Sequence, residues 1–383
     1  MSQDSLSFFQ HFRRLRVAGS TGRSPYRVAD LVFVALCATI AGADTWVLIE
    51  AFAAERREWL ARFCELPLDD DGRPRTPSHD TLERLFARLD PDAFGRCFGS
   101  WTAALAASLG LGRVAIDGKC LRGSGDKSKG LRPLHLVSAW SAGSQISLAQ
   151  VAVDEKSNEI AAIPELLRLL DLNGALVTID AIGTQKDIAA RIIAQGGDYA
   201  LPVKGNQAGL LADIAESFDM AGSVGGAFAK QDVFFAQERG HGRTERRKYV
   251  VMDDLSLIGD LPLWAGLAAI GLCVYERESE GETSREVHYF IGSRRMGAKG
   301  YAEALRGHWG IENRLHWQLD VSFREDGNQV ANRNAAQNLA TIRRLALGLL
   351  KRHPFKGSIN TKRYKAALDI GFAEQVLQAG VPG

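Results

Sequence analysis

The chain has 383 residues, with 47 Lys+Arg against 45 Asp+Glu and a formal net charge of +2. With 46% hydrophobic and 24% charged residues it has the make-up of a soluble globular protein of two or three domains, which excludes a disordered chain. The longest apolar stretch, 31–43, is shorter than the about 20 residues a bilayer requires. The first dozen residues lack a secretory pattern, and five dispersed cysteines without a CxxC fit reduced thiols in a cytoplasm.

Residues 1–110 read as a helical domain. An apolar run covers 31–40, and a polar loop covers 69–77. Asp80 then offers a helix cap with Glu83 as its capping-box partner, and Leu82, Leu85, Phe86 and Leu89 share one face. Asp90-Pro91 restarts a helix, with Pro at its first position. Two helices meeting there suit a helix-turn-helix, and equally plain helix packing or a dimer contact. At Arg113 the pattern changes. A short strand, 114–116, ends in Asp117. Strands at 135–141 and 146–153 flank a turn, a helix spans 160–170, and a strand at 175–179 ends in Asp180. Thr184 is placed to cap a helix reaching about 195, and a fifth strand spans 199–203. Three hairpin-ordered strands followed by crossover units imply a mixed α/β sheet with helices on its faces. The stretch 206–300 favours strands, at 233–237, 248–252, 268–276 and 286–293, and reads as an insertion. A helix over 301–321 follows, then another over 335–351, and 353–383 reads as a basic tail. The domain reading is therefore 1–110, a core at 111–205 and 301–352, the insertion 206–300, and the tail. Between Gly327 and Leu368 there is no acidic residue but there are nine basic ones, a composition suited to a polyanion or to a solvated helix face.

Asp117 and Asp180 both close strands. Ligands of open α/β sheets gather at strand ends, so the pair is a candidate site, though a lone Asp there is more commonly a turn former. On the 301–321 helix Ile311, Leu315 and Leu319 form a buried row, and His308, Glu312 and His316 the row beside it. A zinc reading of that second row is weakened by the Glu between the two His. Three carboxylates are hard oxygen ligands that suit Mg²⁺ or Mn²⁺. Two such ions about 3.5–4 Å apart support in-line displacement at a phosphodiester.

The residues Ile116-Asp117-Gly118-Lys119, His135-Leu136-Val137-Ser138, Lys156-Ser157-Asn158-Glu159, Thr178-Ile179-Asp180-Ala181, Val203-Lys204-Gly205-Asn206-Gln207, Gly240-His241-Gly242-Arg243 and His308-Trp309-Gly310-Ile311-Glu312-Asn313 occur in order along nearly the whole chain. In this set the chain resembles the DDE-type bacterial insertion-sequence transposases, in the subgroup of the H-repeat-associated proteins. The resemblance implies a ribonuclease H-like mixed sheet with a β-rich insertion before the Glu-bearing helix. It implies Asp117, Asp180 and Glu312 as a catalytic, metal-binding triad for two Mg²⁺ or Mn²⁺ ions. Two departures stand out. Cys120 follows Asp-Gly-Lys, where the motif usually has Thr. His308 and Leu319 stand where related transposases outside the subgroup carry Arg and Lys around the Glu.

The implied activity is hydrolysis of a phosphodiester at transposon ends, followed by strand transfer. The implied partners are double-stranded DNA, both terminal inverted repeats and target, and further copies of the chain; no membrane partner is implied, and the place of action is the bacterial cytoplasm, at the nucleoid. Candidate DNA contacts are Lys204 after the fifth strand, Arg239, His241, Arg243 and Arg246 in the insertion, His308 and His316 flanking Glu312, and Lys351 and Arg352 in the basic stretch. Trp309 and Trp317 suit either base stacking or core packing. Two other readings remain at this stage: a catalytically idle DNA-binding relic, and a metal-dependent nuclease used for something other than transposition.

Overall fold

The computed structural model describes residues 7–17, 24–107, 112–153, 159–223, 230–240, 243–279 and 282–380. The chain divides into two units. One is built from Met1–Gly110, Gly118–Ala162 and Glu312–Gly383, the other from Leu111–Asp117 and Ile163–Ile311.

In chain order the elements begin with α1 (Ser7–Phe12), α2 (Val28–Ile40), α3 (Trp46–Glu55), α4 (Arg57–Leu60), α5 (His79–Arg88) and α6 (Pro91–Ala107). Residues 29–40 of α2 are all buried, as befits a helix apolar on every side. The cap of α5 is Ser78 rather than the expected Asp80. Its hydroxyl accepts from the Thr81 N–H, and Asp80 falls in the first helical turn, where its charge favours the dipole. The next elements are β1 (Arg113–Leu121), β2 (Leu134–Ser141), β3 (Ile146–Val153), α7 (Glu159–Leu167), β4 (Leu176–Ile179), α8 (Lys186–Ala194) and β5 (Asp198–Val203). β1 does not stop at residue 116, because Lys119 and Leu121 are buried and hold the chain extended beyond Asp117. Thr184 does not cap α8; its hydroxyl donates to the Pro202 carbonyl instead.

The insertion holds α9 (Ala208–Ser223) and four long strands, β6 (Gln231–Gly240), β7 (Arg243–Met252), β8 (Ala269–Ser279) and β9 (Glu282–Gly292). The last elements are α10 (Ala298–His308), a π-helical turn (Glu312–His316), α11 (Trp317–Phe323), α12 (Arg333–Arg352), α13 (Ile359–Leu368) and α14 (Ile370–Gln378). The stretch 353–383 is thus largely two helices, and its Lys362 and Arg363 are buried.

In the first unit β2 and β3 form an antiparallel hairpin. Helix α12 packs on it and on α2, α5 and α6. In the second unit β1, β4 and β5 run parallel, β9 pairs antiparallel with β5, and β8, β7 and β6 continue outward. Helix α10 covers that extension, burying Tyr301 and Ala304 against Tyr249, Val251 and Phe290. The strand order is β3-β2-β1-β4-β5-β9-β8-β7-β6. This is the anticipated ribonuclease H-like mixed sheet. The insertion lengthens it instead of forming a separate layer.

Candidate active site

Strand register brings the two aspartates together. β1 and β4 are parallel, and their last paired residues are Ile116 and Ile179. Asp117 and Asp180 each follow the last paired residue, so the register sets them side by side across two strands that run about 4.8 Å apart. Alternation along β1 turns Asp117 to the face opposite the buried Ile116. Asp117 is half-buried and Asp180 is exposed.

His308, the last residue of α10, fixes Asp180. Its Nε2 lies 3.1 Å from Asp180 Oδ1, and its Nδ1 lies 3.1 Å from Thr178 Oγ1. Thr178 and Asp180 are two residues apart and so share a face, which lets one imidazole reach both. His308, expected on DNA, makes these contacts within the chain. The clue in the sequence is the Thr-x-Asp spacing at the end of a strand. The loop after Asp180 is braced as well: Asn206 Nδ2 donates to the Ala181 carbonyl at 2.8 Å and Gln207 Nε2 to the Thr184 carbonyl at 2.9 Å. Their neighbour Lys204 is exposed.

In the first unit Glu312 and His316 open and close the π-helical turn. A Glu312 carboxylate oxygen and a His316 ring nitrogen lie within 4.8 Å of each other. This is an acidic and imidazole pair of the kind that holds a divalent cation. Glu312 is exposed and His316 buried. The stripe Ile311, Leu315 and Leu319 is buried as expected. Trp309 and Trp317 are 66% and 54% exposed, so neither is a core residue. Lys351, expected on DNA, turns inward: its Nζ donates to the Arg314 carbonyl in the turn and lies over the Trp140 ring. Burial, with the Arg314 charge, pulls Lys351 down to about 8. Arg352 Nε donates to the Ala379 carbonyl at 2.7 Å.

Lys119 is a residue to which the sequence assigns no role. It is 6% exposed, with its Nζ 2.7 Å from Asp320 Oδ1 and 2.9 Å from Asp326 Oδ1. Burial pulls its pKa down, but the Glu325 charge and the bonds to Asp320 and Asp326 outweigh that and hold it above the usual lysine value. In the insertion Arg239, Arg243 and Arg246 are exposed on the β6 and β7 strands, Arg243 beside Glu245 and Arg246 beside Glu278. His241 lies outside the described residues.

Residues 109–349 match the model of the transposase DDE domain, and residues 9–102 match the model of the segment associated with it. YncI of Escherichia coli O157:H7, a transposase by name, is 40% identical over 361 residues, covering 93% of this chain and 90% of its own. The H repeat-associated protein YhhI of Escherichia coli K12, also a transposase by name, is 36% identical, covering 93% and 94%. Among solved structures, the piggyBac transposase synaptic complex with hairpin DNA is similar at a TM-score of 0.43 and 11% identity, over 98% of this chain and 78% of that one.

Proposed function

The chain belongs to the family of DDE transposases, and on that premise we propose that it cuts DNA at the ends of an insertion sequence and joins the freed ends to target DNA. The observation that carries this reading is the register match of Asp117 and Asp180 on adjacent parallel strands, with His308 holding the second. Glu312 is the third carboxylate. It stands four residues after His308 on the helical run that begins with α10.

The donor set suits Mg²⁺ or Mn²⁺. Carboxylate oxygens dominate, and the Glu312 and His316 pair adds one more oxygen and a nitrogen. Bound there, two ions would supply Lewis-acid activation of the attacking oxygen and charge stabilisation of the leaving one. The chain's own residues hold the geometry. Thr178 and His308 fix the Asp180 carboxylate, Asn206 and Gln207 steady the loop behind it, and the buried Ile311, Leu315 and Leu319 anchor the helical run that carries Glu312.

Exposed Lys204, Arg239, Arg243 and Arg246 contact DNA phosphates, and exposed Trp309 offers a ring to an unpaired base. Terminal inverted repeats and target duplex are the substrates, and copies of the chain assemble on them. Among the described residues no helix is long and apolar enough to cross a membrane.

The test is Mg²⁺-dependent cleavage of duplexes carrying the ends that flank the gene, by wild type and by Asp117→Asn. We expect the variant to lose cleavage by on the order of a thousandfold. Duplex affinity should change by less than about threefold, because no basic residue is touched. Cleavage retained by a nuclease-free preparation of the variant would remove Asp117 from the triad. Ends that are bound by wild type but never cut would favour the DNA-binding relic.

A further inference from the structure

We propose that Lys119 is a positioning residue, whose buried ammonium locks the strand carrying Asp117 to the helix that continues from Glu312. The proposal rests on the triad reading above and adds the device that keeps two of its carboxylates in fixed places.

Along β1, Asp117 and Lys119 are two residues apart and lie on one side of the strand. A β-strand is stiff over that distance, so anchoring Lys119 anchors the backbone of Asp117. Asp320 lies on α11, eight residues after Glu312, and its Oδ1 receives the Lys119 ammonium at 2.7 Å. Asp326, just beyond α11, accepts from the same ammonium at 2.9 Å, and Glu325 Oε2 lies 3.8 Å away.

The lock continues past Lys119. The Arg122 N–H donates to Asp326 Oδ1 at 3.4 Å. Gly123 packs so closely on this segment that a Cβ there would sit 2.3 Å from the Asn328 carbonyl oxygen. Residues 119–123 and 320–328 therefore form one continuous seam.

The π-helical turn makes such a lock necessary. A π-turn inserts a residue into the helical frame, so the direction in which Glu312 projects is not set by helix geometry alone. Something beyond the turn has to fix its phase. Lys119 does so from the C-terminal side, through Asp320. Lys351 supports the turn from within, through the Arg314 carbonyl. A lysine used only to neutralise a buried acidic cluster would be indifferent to the phase of that turn.

The experiment measures Mn²⁺ binding to the full-length chain by electron paramagnetic resonance, thermal melting, and duplex cleavage against Mg²⁺ concentration. The variants are Lys119→Met, Asp320→Asn and the double variant. Asp320→Asn is expected to fold, because Asp320 is partly exposed and Lys119 keeps Asp326 and Glu325. We expect it to weaken Mn²⁺ binding and raise the half-saturating Mg²⁺ by about 10–100-fold, with duplex affinity unchanged. The double variant should be no worse than Lys119→Met alone, as for two halves of one contact.

Variants that melt at lower temperature but bind Mn²⁺ as wild type does would overturn the proposal and leave a merely structural cluster. Additive losses in the double variant would overturn it too, by making Asp320 a metal ligand in its own right. If Lys119→Met does not fold, the Asp320→Asn measurement decides alone. A wild-type chain that binds no Mn²⁺ would instead overturn the metal reading, and this proposal with it.

Discussion

Gly118 shows how narrowly the environment of the first aspartate restricts its neighbours. His135 Nε2 and Glu159 Oε1 form a buried pair at 2.5 Å, and a Cβ on Gly118 would come within 2.4 Å of Glu159 Oε1 and 2.5 Å of His135 Nε2. Both groups are held by each other and cannot swing away cheaply. Gly118→Ala should therefore destabilise the fold by about 1–3 kcal/mol, read as a lower midpoint in denaturant. His308 is constrained differently, through its contact to Asp180. His308→Leu removes the contact to Asp180 but keeps the apolar bulk, so it should raise the Mg²⁺ requirement for cleavage by about 10–100-fold while melting changes little. An unchanged Mg²⁺ requirement would make the contact incidental. Lys351 gives a pH signature. Its folded value of about 8 lies below the ordinary 10.5, so from about pH 8 upward the folded chain holds fewer protons at this site than the unfolded chain. Stability from this group therefore rises between about pH 8 and 10.5, and is lost as pH falls through 8. Melting of wild type relative to Lys351→Met should shift in favour of wild type across that window; a difference flat in pH would contradict it.

At the level of elements, α12 is the hub of the first unit, and its polar residues are held as firmly as its apolar ones. Asn338 is fully buried and donates to the Phe86 and Leu89 carbonyls at 2.9 Å each, closing the end of α5. Asn338→Ala should cost about 1–3 kcal/mol, because two buried carbonyls lose their donor; thermal melting checks it. Strand and helix identities along 113–203 follow from apolar patterning, and the apolar row of the Glu-bearing helix marks its buried face. Three features do not follow. The π-helical turn consists of Glu-Asn-Arg-Leu-His, all compatible with an ordinary α-helix, and only tertiary ties such as Lys351 to Arg314 mark it. The Thr184 hydroxyl is taken by a carbonyl 18 residues on, which no local pattern announces. Helix α13 is hidden by its basic composition, and α14, which has no basic residue, by being read as part of the same tail. Their signal is present in Ser358, whose hydroxyl caps α13 at the Thr361 N–H, and in buried Ile359, Ala366, Phe372 and Val376.

Over the whole molecule a net charge of +2 gives no general attraction to DNA, so phosphate binding has to be local. The acid-free window 327–368 has the composition for it. Four of its nine cations, however, Arg343, Arg344, Lys362 and Arg363, are buried. Arg344 pairs with Glu325 at 3.0 Å, Arg363 bonds Asp44 at 2.6 Å, and Lys362 donates to the Leu350 and His353 carbonyls. The acidic partners come from outside the window, which is why a charge count within it misleads. The candidate site is more legible: strand ends mark Asp117 and Asp180 and the helix row marks Glu312, with the triad itself implied by the resemblance, whereas His308 and Lys119 acquire their contacts only through tertiary structure. Neutralising Arg239, Arg243 and Arg246 together should weaken binding to specific and random duplexes alike. It should flatten the log–log salt dependence by up to about 0.9 for each phosphate no longer neutralised. An unchanged slope would leave those arginines as solvated strand charges.

The division of the chain into interleaved segments also bears on its synthesis. The first unit takes its opening helices from the N-terminus and its central helix, α12, from Glu312–Gly383. At about 5–20 residues per second, those opening helices wait on the ribosome while the whole second unit is made. During that interval α2, buried along residues 29–40 in the finished fold, has no α12 to pack against. A message broken before codon 312 yields a chain holding both aspartates and every residue of the second unit, yet lacking Glu312. Under the function proposed above, damaged transcripts would then encode a protein that keeps the insertion's arginines and lacks the third carboxylate of the triad.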